Sequence, residues 1–361
     1  MRLIYLTIEA PREGQASYTH VHEIIRGLKA RGWETGLYQP SYTNKDHSPG
    51  LLLRLLLSLS LQLGLWLQWK RGSALYIRGH YLAFPTALIA HIFKIPIFHE
   101  INGPYEDIFI AHPSLNKFRS VLIWMQRQQY RWATGLIAVT DELRNWVSHE
   151  SQGQPAVMIS NGANVELFKP GLPRPPGLPE VYAVFFGGLS TWHGVRFMIS
   201  AVNHPRWPGH VHLVVIGDGQ DGHILREEAE KNDHLHVLGK KPYKDIPHYV
   251  ANALVGLVPI LNSGNRAVTG LFPLKLFETL ACGTPVIVTD FPGQADFVRE
   301  HDCGLVIEAD NAEALAGAVA ELYIQREAAS AMGMKGYESV RLHHSWDARA
   351  NATHQFIIGL S

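Results

Sequence analysis

The stretch GNRAVTGLFPLKLFETLACGTPVIVTDFPGQADFV, residues 264–298, carries the most concentrated information in this chain. A loop of small residues enters a helix at about Pro273, Gly283 and Thr284 make a turn, and PVIVTD follows as a strand. A helix that starts after a Gly/Pro loop presents unpaired N–H groups and the positive end of its dipole, which suits a diphosphate. Lys275 falls in the first turn and can add a point charge on the phosphates. Glu278 lies roughly one turn further on, where a carboxylate can accept both hydroxyl hydrogens of a ribose. Position alone leaves a second reading beside this one: an ordinary helix start with a solvated Lys and a capping Glu.

Outward from this stretch the same grammar repeats. YAVFFGG, VHLVVIGDG, LHVLGK and LVGLVPI precede it as strand candidates separated by helices. In the first half RLIYLTI, ALYIRG, IPIFHEI and GLIAVT read as strands. The run SYTHVHEIIRGLKARG places Val21, Ile24, Ile25 and Leu28 on one helical face, with Gly32 as its stop. Strand–helix alternation predicts an α/β protein with a parallel, Rossmann-like sheet in each half and ligand at the carboxyl ends of the strands. The segment ISNGANVELFKPG and the Pro-rich LPRPPGLPE read as a hinge. Domains are therefore expected at about 1–168 and 169–341.

A chain of 361 residues, 46% hydrophobic and 18% charged, fits two globular domains. Formal net charge is zero, so nothing argues for nucleic acid. The halves differ: residues 1–170 hold 17 Lys+Arg against 12 Asp+Glu, and the remainder 15 against 20. Two cysteines, Cys282 and Cys303, support neither a disulfide framework nor a zinc site, and a reducing compartment is expected. The 20 histidines show no metal-ligand spacing and no DxD pair ends a strand, so no metal and no cofactor is expected.

One segment breaks the pattern. LLLRLLLSLSLQLGLWLQWKR, residues 51–71, is nearly all Leu, and as a helix it lines up Arg54, Ser58 and Gln62 in a narrow polar stripe. It reads as a membrane span, an interfacial helix ending in Trp66, Trp69, Lys70 and Arg71, or a helix buried against the first sheet. The interfacial reading is preferred, with the protein peripheral at the inner, cytoplasmic face of a membrane.

The string PLKLFETLACGTPV closely resembles the donor-binding signature of glycosyltransferase family 4, the retaining, group 1 enzymes of GT-B fold. NGANVELFKP resembles the family's interdomain segment, FFGGLSTWHG its phosphate loop, and HHSWDARA its final helix, expected at about 342–361 and packing back on the first domain. The resemblance implies two Rossmann-like domains with parallel sheets facing across a cleft. It implies a sugar transferred from a nucleotide diphosphate donor, with retention, to an acceptor hydroxyl. The basic first half and the Leu-rich segment point to a lipid-linked or glycan acceptor, as in assembly of an exopolysaccharide, a capsule or a lipopolysaccharide O-antigen.

Carried over by position, the resemblance gives a donor site of Gly14, Gln15, Gly188, His193, Gly217, Lys241, Gly270, Phe272, Pro273, Leu274, Lys275 and Glu278. The first of the family's paired glutamates is replaced by Gly270, and the Arg and Lys of its phosphate loop by Gly188 and His193. Lys275 is then the fixed positive charge on the leaving diphosphate. The family's His at the end of the strand PIFHEI falls at Asn102, which takes the acceptor side with Glu100 and Arg78. Arg78 reads equally as a solvated strand-end Arg, and His99 as structural. Catalysis is expected of Lys275, Glu278 and Asn102. The departures at Gly270, Gly188 and Asn102 keep a second function in view, a catalytically degenerate scaffold or nucleotide-binding partner protein. A nucleotide-sugar epimerase is the third.

Overall fold

A computed structural model of the chain describes all residues except 11–14, 41–48, 262–268 and 361, and all side chains in its elements except those of residues 51, 110 and 111. The chain folds into two compact units. One holds Met1–Ser160, Thr269 and the stretch from Arg349 onward; the other holds residues 161–263 and Gly270–Ala348.

The first unit runs β1 (Arg2–Leu6), α1 (Ala16–Ala30), β2 (Glu34–Tyr38), α2 (Leu51–Leu67), β3 (Ser73–Arg78), α3 (Phe84–Ile92), β4 (Ile97–Ile101), α4 (Asp107–Ala111), α5 (Arg119–Trp132), β5 (Gly135–Ala138), α6 (Asp141–Glu150) and β6 (Ala156–Met158). Its six strands are parallel, in the order β2-β1-β3-β4-β5-β6. The order reverses direction between β1 and β3, so a crevice opens at their carboxyl ends. Ile4, Leu6, Leu75, Ile77 and Ile97 form one core face, closed by Leu65 of α2 and Ala87 and Ala90 of α3.

The second unit runs β7 (Tyr182–Phe186), α7 (Val195–Val202), β8 (His212–Ile216), α8 (Gly222–Ala229), β9 (Leu235–Gly239), α9 (Ile246–Val250), β10 (Val255–Val258), α10 (Leu274–Ala281), β11 (Val286–Thr289), α11 (Gln294–His301), β12 (Gly304–Ile307), α12 (Ala312–Ile324) and α13 (Arg326–His343). Its parallel order is β12-β11-β10-β7-β8-β9, reversing between β7 and β10. Alternate residues of β7 enter different cores, Ala183 and Phe185 one, Tyr182, Val184 and Phe186 the other. Burial on both faces is why these strands read as unbroken apolar runs.

The last helix, α14, spans Trp346–Leu360. Within the first unit, a Cβ on Gly27 of α1 would stand 2.2 Å from Ala350 Cβ, so only glycine admits this approach. Trp33 Nε1 donates to His354 Nδ1 at 2.8 Å, and Phe356 meets Phe98 edge to face. The stretch expected as one final helix from about 342 begins inside α13, which ends at His343.

The Leu-rich segment forms α2 with its polarity inverted. Ser58 and Gln62 are 2% and 3% exposed, whereas Leu52, Leu63 and Leu67 are 71%, 61% and 78% exposed. Ser58 and Gln62 dock the helix together with Leu65, which is fully buried. Gln62 Nε2 donates to the Leu82 carbonyl at 3.0 Å and its Oε1 accepts from Thr86 N–H at 3.2 Å. No helix of the described residues is long and apolar enough to cross a membrane.

Candidate functional site

In the second unit the carboxyl ends of β7 and β8 are stitched together through backbone. Gly187 N–H donates to the Ile216 carbonyl at 2.9 Å and Leu189 N–H to the Asp218 carbonyl at 3.0 Å. A Cβ on Gly217 would lie 1.9 Å from the Gly187 carbonyl oxygen, so the two loops touch main chain to main chain. α10 begins beside them. Its N-cap is Pro273, and among the described residues no side chain caps it.

Lys275 in the first turn of α10 is 8% exposed. Among the described residues its Nζ has no hydrogen-bond partner. The ammonium lies 3.8 Å from the centre of the Phe185 ring and 3.4 Å from where a Cβ of Gly187 would sit. Burial pushes its pKa down to about 7, with Glu278 opposing part of that shift. Glu278, three residues on, is 4% exposed and accepts from Tyr243 Oη at 2.5 Å. The Lys is thus not solvated, and the Glu does not cap the helix it sits in. Asn161 Nδ2 donates to the Phe272 carbonyl at 2.7 Å and ties down the entry to α10.

The other expected donor residues are placed as follows. His193 Nδ1 bonds Ser190 Oγ at 2.8 Å, and its ring meets Phe185 edge-on. The Gly188 Cβ direction points at the His193 ring, 3.7 Å from Cε1. Gly270 is buried at φ 70°, a left-handed conformation that favours glycine, so a backbone turn stands where the resemblance leads one to expect a carboxylate. Lys241 follows the edge strand β9, half-buried. Gln15 is the exposed N-cap residue of α1, and Gly14 lies outside the described residues.

In the first unit a buried polar cluster occupies the carboxyl ends of β1, β3 and β4. Glu100 is fully buried and pairs with Arg78 Nη1 and with His20 Nε2 at 3.0 Å. It also accepts from Tyr5 Oη at 2.8 Å and Asn102 Nδ2 at 2.7 Å. Burial alone would raise the Glu100 carboxyl, but His20 and Arg78 hold it well below the ordinary range. Arg78 Nε reaches Glu9 at 3.0 Å, and both acids hold the guanidinium protonated against its burial. Arg78 is therefore not a solvated strand-end Arg; its charge is compensated inside the fold. Asn102 is exposed, with its amide oriented by Glu100. His99 is buried, meets Tyr130 edge-on, and is driven down to about 3 by burial, so it is a neutral ring in the core.

Tyr5, Glu9, His20 and Tyr243 thus belong to the two clusters without being singled out in the sequence, and Gly187 and Asn161 join them from within the quoted strings FFGGLSTWHG and NGANVELFKP. Glu9 carries a signal as the acid just beyond the first strand; Tyr5, His20 and Tyr243 are joined to the site only by folding.

Two family models match the chain: Glycosyltransferase Family 4 over residues 18–167 and Glycosyl transferases group 1 over residues 180–325. A GDP-mannose-dependent alpha-(1-6)-phosphatidylinositol monomannoside mannosyltransferase of Mycobacterium tuberculosis is 33% identical over 151 residues. The match covers 41% of this chain and spans 39% of that relative's length. Among solved structures, sucrose-phosphate synthase from Thermosynechococcus elongatus superposes with a TM-score of 0.79 at 18% identity, covering 99% of this chain and 98% of that one. Anabaena HepE in complex with UDP-glucose gives 0.75 at 14% identity, covering 99% and 100%. The fold is GT-B.

Proposed function

The chain belongs to glycosyltransferase family 4, of group 1 type, and from that premise we propose that it transfers a sugar from a nucleoside diphosphate donor to an acceptor hydroxyl, with retention. The observation that carries the reading is the Lys275 ammonium, buried and without a hydrogen bond among the described residues, beside an uncapped helix start and the bare backbone of Gly187. A buried donor set of this kind is costly until an anion satisfies it. A diphosphate brings the required oxygens.

In this scheme the bond between the anomeric carbon and the diphosphate oxygen breaks, and a bond from that carbon to the acceptor oxygen forms on the same face. The acceptor's proton passes to the departing phosphate oxygen. Lys275 and the N–H groups that open α10 stabilise the charge that grows on the leaving group, which makes electrostatics the main catalytic term. No metal is assigned a step. Glu278, held by Tyr243, takes the ribose hydroxyls. Asn102, oriented by Glu100, takes the acceptor side, and Arg78 and Glu100 position it. One similar protein is named for GDP-mannose and another is solved in complex with UDP-glucose, so these two donors are the first to try.

The relative's phosphatidylinositol-linked acceptor and the outward leucines of α2 support a lipid-linked acceptor used at a membrane's inner face. Incubating the protein with GDP-mannose or UDP-glucose and a lipid extract tests the proposal. Acceptor-dependent release of nucleoside diphosphate with a new glycosylated product is the expected outcome. Binding of nucleotide without turnover of any donor supports the degenerate scaffold instead, and release of nucleotide with no transferred sugar counts against transfer.

A further inference from the structure

A second polar constellation lies at the opposite edge of the first sheet, where the amino ends of β1, β3 and β4 meet the end of α2. A cavity of about 600 Å³ opens there, within the range of small-molecule sites. Its walls are largely aromatic and aliphatic: Trp33, Trp66, Trp69, Ile89, Phe93 and Ile95. The Trp66 and Trp69 rings lie 5.0 Å apart. Three cationic side chains line the same cavity, Arg2, Arg71 and Lys94, and among the described residues no Asp or Glu does. Glu34 approaches Arg2 Nε at 3.5 Å, but it is exposed and stands also 3.8 Å from Lys70.

The polar atoms left over are all donors. Arg2 Nη1 and Trp66 Nε1 are shielded from solvent and have no hydrogen-bond partner among the described residues, and Arg2 Nε has only its ion pair to the exposed Glu34. Orphaned buried donors are uncommon and point to an acceptor that binds there. Lys94 is held at φ 53°, a conformation rare for a residue with a side chain, and is exposed at the rim. Next to it Phe93 is exposed, and on the other side the leucine row of α2 ends at Leu67.

Apolar walls and a donor-only cationic rim fit one chemical class. We propose that this cavity binds an acidic phospholipid, its phosphate on Arg2, Arg71 and Lys94 and the upper part of an acyl chain between the tryptophans and Phe93. A free phosphate would leave the aromatic walls bare, and a neutral lipid would leave the cations unmatched. Tryptophans with flanking Lys and Arg are also the side chains that settle at the headgroup level of a bilayer. The site is remote from the carboxyl-end cluster around Glu100. It extends the bilayer contact proposed for α2 without depending on it, because a water-soluble lipid is a sufficient probe.

The test uses the full chain and dihexanoyl phosphatidylglycerol below its micelle concentration, titrated calorimetrically. Saturable binding at one site is expected, weakened about tenfold or more in the Arg71→Gln/Lys94→Gln double variant, as for loss of charged hydrogen bonds. Both positions are exposed, so the variant keeps its fold. A dibrominated form of the same lipid should quench part of the tryptophan fluorescence. Dihexanoyl phosphatidylcholine binding equally well would overturn the charge assignment, and glycerol phosphate binding equally well would reduce the site to a phosphate site. Undiminished binding by the double variant would remove the cavity from consideration. None of these results bears on donor transfer, which is measured separately.

Discussion

Lys275 and Glu100 are both buried charges, and the protein treats them oppositely. Lys275 has no counter-ion in hydrogen-bond contact among the described residues, and burial lowers its pKa from 10.5 to about 7. Between those two values the unfolded chain holds a proton that the folded chain lacks, so this group's contribution to stability rises with pH across that window. Diphosphate binding reverses the effect by favouring the ammonium. Affinity should therefore be greatest below about pH 7 and decline as pH rises, with proton uptake visible as a buffer-dependent heat of binding. Lys275→Met should abolish that pH dependence and weaken binding. It should also stabilise the empty protein by about 1–3 kcal/mol, since an unsatisfied buried polar group is removed; a lower Tm would contradict this.

Glu100 is compensated on every side. A carboxylate with a depressed pKa stabilises the fold above its unfolded value and loses that contribution as pH falls. Glu100→Gln should cost about 3–5 kcal/mol by leaving the Arg78 guanidinium underpaired, read as a lower denaturant midpoint. The contrast shows what a sequence reveals at this scale. Lys275 and Glu278 are legible because one short string holds helix start, cation and carboxylate together. The Glu100 cluster is legible only in part: Arg78 and Asn102 are grouped with Glu100, but Tyr5 and His20 come from other elements, and nothing in a strand's pattern tells which hydroxyl or imidazole will meet which acid. Arg78 accordingly leaves two readings open until its partners are placed.

At the scale of elements, the central strands are legible because both their faces are buried and they appear as apolar runs. Three of the four edge strands, β2, β6 and β12, do not stand out; ETGLY, AVM and GLVI are short and mostly half-buried, with neither a long run nor a clean alternation. The Leu-rich helix is legible, but not its orientation. Hydrophobicity alone would turn most of the leucines inward, whereas Gln62, donating to the Leu82 carbonyl and accepting from Thr86 N–H, turns inward beside Leu65 and leaves the other leucine face outside. Gln62→Leu should then destabilise the protein by about 1–3 kcal/mol, because the Thr86 N–H loses its acceptor inside the fold. Replacing the exposed Leu59 and Leu63 with Glu should leave the denaturant midpoint nearly unchanged and reduce sedimentation with anionic liposomes. If the leucine variant binds liposomes as well as wild type, α2 is not a membrane contact.

On the scale of the molecule, each sheet carries its polar cluster where the strand order reverses, between β1 and β3 in one unit and β7 and β10 in the other. That placement follows from parallel topology, in which neighbouring crossovers leave a crevice at the carboxyl ends. It is the reason a strand–helix alternation read from sequence points to the carboxyl ends of the strands as the place to look. The family match over both units then adds a chemistry to a geometry that by itself shows only a buried, unpartnered ammonium at the start of α10.

The most direct measurement is calorimetric titration of GDP and UDP into the wild-type protein and into Glu278→Ala. At least one nucleotide should saturate a single site, and the variant should bind it about 1–3 kcal/mol more weakly. Wild-type affinity in Glu278→Ala, or no saturable binding of either nucleotide, would contradict a diphosphate nucleoside held at the start of α10.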